Sequence, residues 1–102
     1  MTVSVALLSF NGVDQLKQSF SRLIDECRHQ CIEDVFVLDN ASDDGSVRYM
    51  QHYFPDVRLD QQPYIKSFSE CVNHAVSLAR YEYVVVLLPG FLDVRFDVEH
   101  LK

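Results

Sequence analysis

Asp34-Val35-Phe36-Val37-Leu38-Asp39-Asn40-Ala41-Ser42-Asp43-Asp44-Gly45-Ser46 is a short apolar run that ends abruptly in carboxylates, hydroxyls and a glycine. Val35 to Leu38 is too short for a helix and too uniformly apolar for a half-exposed strand. It therefore reads as a strand in the middle of a parallel sheet covered on both faces. Open parallel sheets bind ligands beyond the carboxyl ends of their strands. Asp39, Ser42, Asp43 and Asp44 fall there, so a function is to be sought in this loop.

Upstream, Val3 to Phe10 is almost continuously apolar and breaks at Asn11-Gly12, which predicts a first buried strand ending in a loop. Val13, Leu16, Phe20, Leu23, Ile24 and Cys27 then recur at helical spacing, the stripe of an amphipathic helix. Downstream, Asp44 is placed to cap a second helix with Val47, Met50 and Phe54 on its buried side. Pro55 stops that helix. Val57-Arg58-Leu59-Asp60 alternates as an edge strand does, and Pro63 ends it. Ser67-Phe68-Ser69-Glu70 has the spacing of a capping box, opening a third helix whose stripe is Phe68, Cys71, Val72, Ala75, Val76 and Ala79. Val84 to Leu88 is a last apolar run that calls for burial on both faces, stopped by Pro89-Gly90. Asp93 to Lys102 is charged and weakly patterned.

This β-α-β-α-β-α-β order predicts a three-layer, Rossmann-like α/β domain over residues 1–102, with a parallel sheet and right-handed crossovers. With the alternating third strand at the edge, the strand order is 3-2-1-4, and Asn11, Asp39 and the turn after Leu88 line one crevice.

A net charge of −6 disfavours a nucleic-acid backbone as partner, because such binding needs clustered Lys and Arg. No apolar run approaches the roughly 20 residues needed to span a bilayer, and no basic n-region precedes the first strand, so the expected compartment is the cytoplasm. The three cysteines are an odd number without secretory context, which argues against a disulfide framework. Cys27 and Cys31, four apart with His29 nearby, could share a helical face. Two sulfurs without a second pair of ligands make a poor zinc site.

The loop after the second strand, Asp39-Asn40-Ala41-Ser42-Asp43-Asp44-Gly45-Ser46, resembles that of family 2 glycosyltransferases with the GT-A fold. Phe54-Pro55-Asp56-Val57-Arg58 before the third strand, Ser9-Phe10-Asn11 after the first, and Ala79-Arg80-Tyr81-Glu82-Tyr83-Val84 before the fourth are similar to the same family. The resemblance runs from residue 3 to 88 and covers the nucleotide-sugar-binding half of the domain, incomplete at the C-terminus. It implies a nucleoside diphosphate sugar as ligand, with Ser9 and Asn11 bordering the nucleotide and Asp39 accepting a hydrogen bond from the base. A carboxylate suits the imide N–H of uracil, since a charged acceptor strengthens that bond. Ser42, Asp43 and Asp44 shape the rest of the loop.

The family's fourth strand runs into an Asp-x-Asp-like motif that holds Mg or Mn against the diphosphate. Here the chain reads Leu87-Leu88-Pro89-Gly90-Phe91-Leu92-Asp93, and Asp93 is the one nearby carboxylate. A diphosphate among Asp39, Asp43 and Asp44 meets like charge, which Lys66 and Arg95 are the candidates to offset. The family's Gly near the third helix is Ser67, and the Gly before Glu82 is Tyr81; a Gly there lets backbone approach a phosphate. Catalysis by this stretch alone is not expected, because the catalytic base and acceptor pocket belong to the other half of the GT-A domain.

The alternative is a degenerate, non-catalytic module that forms a homodimer or binds a partner protein along the bare edge of the strand at 84–88. A phosphoacceptor receiver would need paired acids after the first strand and a Lys after a late one, where Asn11-Gly12 and Pro89-Gly90 stand. A cysteine nucleophile is weaker, because Cys71 lies on an apolar stripe and His74 reads as its neighbour.

Overall fold

The computed structural model describes residues 3–88. The elements are β1 (Val3–Ser9), α1 (Val13–His29), β2 (Asp34–Asp39), α2 (Ser46–Tyr53), β3 (Arg58–Gln61), α3 (Phe68–Leu78) and β4 (Tyr83–Leu87). All pairings are parallel, in the order β3-β2-β1-β4, as the element pattern predicts.

Period-two alternation divides the strand residues between two cores. Val3, Val5, Leu7 and Val37 pack with Leu16, Phe20, Leu23, Ile24 and Cys27 of α1 and Met50 of α2. Ala6, Leu8, Phe36 and Leu38 face Cys71 and Ala75 of α3. The stripe of α1 is buried as its spacing requires, apart from Val13, which is half-buried in the first turn. Phe54, just past α2, sets its ring edge-on to Phe20 with centroids 4.8 Å apart.

Two expectations need correction. The stripe of α3 narrows to Cys71 and Ala75, while Phe68 and Val76 are exposed. Phe68 opens the helix, nearly a turn before the first buried position. Val76 lies about 200° around the helix from His74, and His74 reaches β3, so Val76 stands on the flank towards β4. Likewise β4 is half-buried along Val84–Leu87 rather than enclosed, because among the described residues it pairs with β1 alone.

The amino ends of the strands are tied by Asp34, which is buried at the start of β2. Its carboxylate accepts from the Ser4 hydroxyl at 2.5 Å, the Arg58 guanidinium at 2.9 Å and the Arg80 N–H at 2.9 Å. Ser4 in turn accepts from the Tyr81 N–H at 3.2 Å. Arg58 also lies over the Phe36 ring, 4.4 Å from its centroid. Residues from β1, β2, β3 and the approach to β4 thus converge on one carboxylate. No helix among the described residues is long and apolar enough to cross a membrane.

Candidate functional site

The register puts Ser9, Asp39 and Gln61 side by side at the carboxyl ends of β1, β2 and β3. Asp39 is 1% exposed, and its carboxylate accepts from the Ser42 N–H at 2.9 Å and the Ser42 hydroxyl at 2.7 Å. The Ser42 hydroxyl itself accepts from the Asn11 N–H at 2.8 Å. The Asn11 side-chain oxygen takes the Asp43 N–H at 2.9 Å. A relay from Asn11 through Ser42 to Asp39 therefore binds the β1–α1 loop to the β2–α2 loop. Ser9 is equally buried, and among the described residues its hydroxyl has no hydrogen-bond partner.

Two residues of this rim hold positive φ without being glycine: Asn11 at 50° and Ala41 at 58°. Asn tolerates that region, whereas Ala is strained there by about 1–2 kcal/mol. Strain of this kind collects where function holds a backbone in place.

Asp44 does not cap α2 as predicted. The N-cap is Gly45, at φ 89°, a conformation that suits glycine. Asp44 instead accepts from the Ser46 N–H at 3.0 Å and the Ser46 hydroxyl on one oxygen, and from the Val13 N–H at 3.0 Å on the other. It thereby serves the first N–H groups of both α1 and α2, and α1 has no side-chain cap of its own. Partial burial raises its pKa, but the Ser46 hydroxyl and the N–H groups of Val13 and Ser46 outweigh this, leaving it below the usual carboxylate value.

Sequence reasoning missed Asn40. Its side chain accepts from the Lys66 N–H and donates to the Lys66 carbonyl, both at 2.9 Å, clamping the segment that leads into α3. Lys66 thus joins the site through its backbone, and its ammonium stands 5.4 Å from the Tyr64 ring centroid. The Gln62 N–H donates to the Asp39 carbonyl at 2.8 Å and draws the same segment to the rim.

Arg48 was missed too. It lines an open cleft of about 420 Å³ with Ser42, Asp43, Gly45, Val47 and Gln51. A cation in the first turn of α2, where the helix dipole disfavours it, was the available signal. A larger cleft of about 520 Å³ lies at the amino end of the sheet, between the end of α1 and β2. Its charged residues, Arg28, Glu33 and Asp56, are all exposed, so it lacks the buried polar groups that mark the rim.

The sequence profile of Glycosyl transferase family 2 matches residues 4–87, all but one residue at each end of the described fold. The chain belongs to this family. Among solved structures it is similar to a mannosyltransferase from Pyrobaculum calidifontis, determined in complex with GDP-Man and Mn2+. The TM-score is 0.69 at 22% identity, over 86% of this chain and 27% of that one. At that identity the likeness is one of fold: four parallel strands and their helices form the Rossmann-like half of a GT-A domain. No curated protein matches the chain.

Within this family 2 fold, Ser9, Asn11, Asp39, Ser42, Asp43 and Asp44 come together as one rim. Asp93, the expected metal ligand, Arg95 and the Pro89-Gly90 turn lie outside the described residues. Among the described residues no group of three or more His, Cys, Asp or Glu is placed to hold a metal ion. Cys27 and Cys31 do not share a helical face: Cys31 lies past the end of α1 at φ 60°, exposed, while Cys27 is buried. Burial, helped by Glu26, pushes the Cys27 thiol up to about 12, and burial raises that of Cys71, so both stay protonated and poorly nucleophilic. His74 sets its Nε2 2.6 Å from Asp60 at the β3 edge rather than on a nucleophile.

Proposed function

We propose that this family 2 domain binds a nucleoside diphosphate sugar at the carboxyl rim of its sheet, with Asp39 taking the base. The observation that carries this is the pairing of Ser9 and Asp39. Among the described residues, one is a buried hydroxyl without a partner and the other a buried carboxylate whose donors come from Ser42. An unsatisfied buried polar group costs about 1–3 kcal/mol, which a ligand hydrogen bond recovers. The Ser42 hydroxyl occupies the position on Asp39 that an imide N–H of uracil takes on binding, and the strained Ala41 beside it lets that loop give way. Asn11 and Ser42 border the nucleoside, and Asp43 and Asp44 hold the loop. Lys66 and Arg48 supply positive charge for the diphosphate.

Binding, not transfer, is the activity proposed for these residues. Asp39 and Asp44 are engaged in holding the rim, so the described crevice offers recognition groups rather than a positioned general base. Calorimetry with UDP- and GDP-sugars, with and without manganese, tests the reading. Heat of binding lost in Asp39→Ala is expected, and no heat with any nucleoside diphosphate overturns it. A second reading, a non-catalytic module that associates through residues 84–88, is favoured by the half-exposed β4.

A further inference from the structure

Helix α3 is held firmly at its ends and lightly along its length. Before it, Asn40 clamps the backbone N–H and carbonyl of Lys66, both at 2.9 Å. After it, the Arg80 N–H donates to Asp34 at 2.9 Å and the Tyr81 N–H to Ser4 at 3.2 Å. One extended residue at each end, Ser67 and Ala79, joins the helix to these anchors. Between them α3 buries Cys71 and Ala75, with Val72 and Leu78 half-buried against the same core. Helix α1 buries Leu16, Phe20, Leu23, Ile24 and Cys27. A thiol and a methyl group remove far less apolar surface from water than those side chains do, and the stabilisation scales with that surface. The polar tie at mid-helix, His74 to Asp60, is about one-third exposed on both sides, where such pairs contribute little.

We propose that α3 is a strap that undocks from the sheet as a unit, turning on Ser67 and Ala79, while α1, α2 and the four strands stay folded. Its own cap lets it leave as a helix. The Ser67 hydroxyl accepts from the Glu70 N–H at 3.2 Å and the Glu70 carboxylate from the Ser67 N–H at 3.4 Å, and neither bond reaches the sheet. The excursion gives up the burial of Cys71 and Ala75 and the contact of His74 with Asp60. It uncovers Leu8, Leu38 and part of Phe36, whose ring stays under the Arg58 guanidinium. The larger core against α1 is untouched. Segments with few buried apolar contacts open at free energies well below that of global unfolding. Because Ser67 directly follows the clamped Lys66, one wall of the rim rests on this helix being docked. The device goes beyond nucleotide-sugar binding and does not depend on it.

The three cysteines report on it in the unaltered 102-residue chain, since Cys31 is exposed, Cys71 lies under α3 and Cys27 under α1. In thiol labelling with a bulky maleimide under native conditions, Cys31 is expected to react at once. Cys71 follows, more than about tenfold ahead of Cys27, and with a shallower denaturant dependence because less surface opens. His74→Gln quickens Cys71 about two- to fivefold. Ile24→Val, which thins the α1 core alone, quickens Cys27 about two- to tenfold and leaves Cys71 unchanged. Cys71 and Cys27 reacting together, with one denaturant dependence, overturns the proposal. So does a Cys71 that Ile24→Val speeds as much as Cys27, that His74→Gln leaves unmoved, or that a small methanethiosulfonate reaches and the maleimide does not.

Discussion

Strand β2 carries a buried carboxylate at each end, and the two are solved in opposite ways. Asp34, at the amino end, meets the Arg58 guanidinium at 2.9 Å, with that of Arg80 at 4.0 Å. Its remaining acceptor capacity goes to Ser4 and a backbone N–H. Asp39, at the carboxyl end, is as deeply buried, yet among the described residues its carboxylate contacts are the N–H and hydroxyl of Ser42. A buried charge compensated by cations within the fold serves stability once the chain has closed on it. One held by neutral donors beside an unpartnered hydroxyl keeps the capacity to take a ligand. The same residue type, five positions apart on one strand, is thus compensated by cations at one end and, in the function proposed above, serves as a recognition group at the other.

The strongest way to break this contrast is to remove each carboxylate. Asp34→Ala leaves the half-buried Arg58 guanidinium and two further donors without their acceptor and is expected to cost about 2–3 kcal/mol, read as a lower midpoint of denaturant unfolding. Asp39→Ala strands two donors of one half-buried serine and is expected to cost about 1–2 kcal/mol while abolishing the proposed nucleotide-sugar binding. Equal stability losses, or a binding loss in an Asp34 variant that remains folded, would defeat the distinction.

Asn40→Ala sharpens it further. The clamp on Lys66 consists of two hydrogen bonds to main chain, and losing both is expected to cost about 1–3 kcal/mol. Amide exchange should speed at Lys66 and Gln62 while the Ser4, Asp34 and Arg80 end stays protected, since the two ends are separated by the length of the sheet. Uniform loss of protection would mean that the rim and the base unfold as one unit.

Much of this was legible in the sequence, for reasons that also explain what was not. Helix α1 and the central strands could be read because periodicity reports burial directly, and the polar break after Leu38 marked the rim. Asp34 opened the same stretch and received no role. Its partners lie 30, 24 and 46 residues away, at Ser4, Arg58 and Arg80, and no local pattern encodes such pairings. Asp44 was read as a local cap because local spacing allowed it, whereas its second oxygen serves Val13, 31 residues back. Phe68 and Val76 fit the stripe of α3 by spacing. Whether a strand lies beneath each of them is a property of the sheet, which spacing does not carry.

The rim also carries a pH signature. Because the folded pKa of Asp44 is depressed, the stability it contributes is fully present above its unfolded value of 3.8. It is lost as pH falls through the lower folded value. Loosening of the starts of α1 and α2 below about pH 3.8 is expected, followed by the amide signals of Val13 and Ser46. Asp44→Asn should flatten that dependence. A transition of the same shape in this variant would assign it to another carboxylate.

The smallest effect is expected to run in the opposite direction. Ala41 sits at φ 58°, where an alanine is strained by about 1–2 kcal/mol and a glycine is not. Glycine gives back roughly 0.5–1 kcal/mol through the greater freedom of the unfolded chain, so Ala41→Gly should stabilise the fold by at most ~1.5 kcal/mol. It should also make the Ser42 hydroxyl easier to displace from Asp39, and so tighten or leave unchanged the binding of a nucleotide sugar. Destabilisation with weaker binding would show that Ala41 is held by its neighbours rather than strained by its backbone. The carboxyl end of β2 would then be as rigidly built as the amino end.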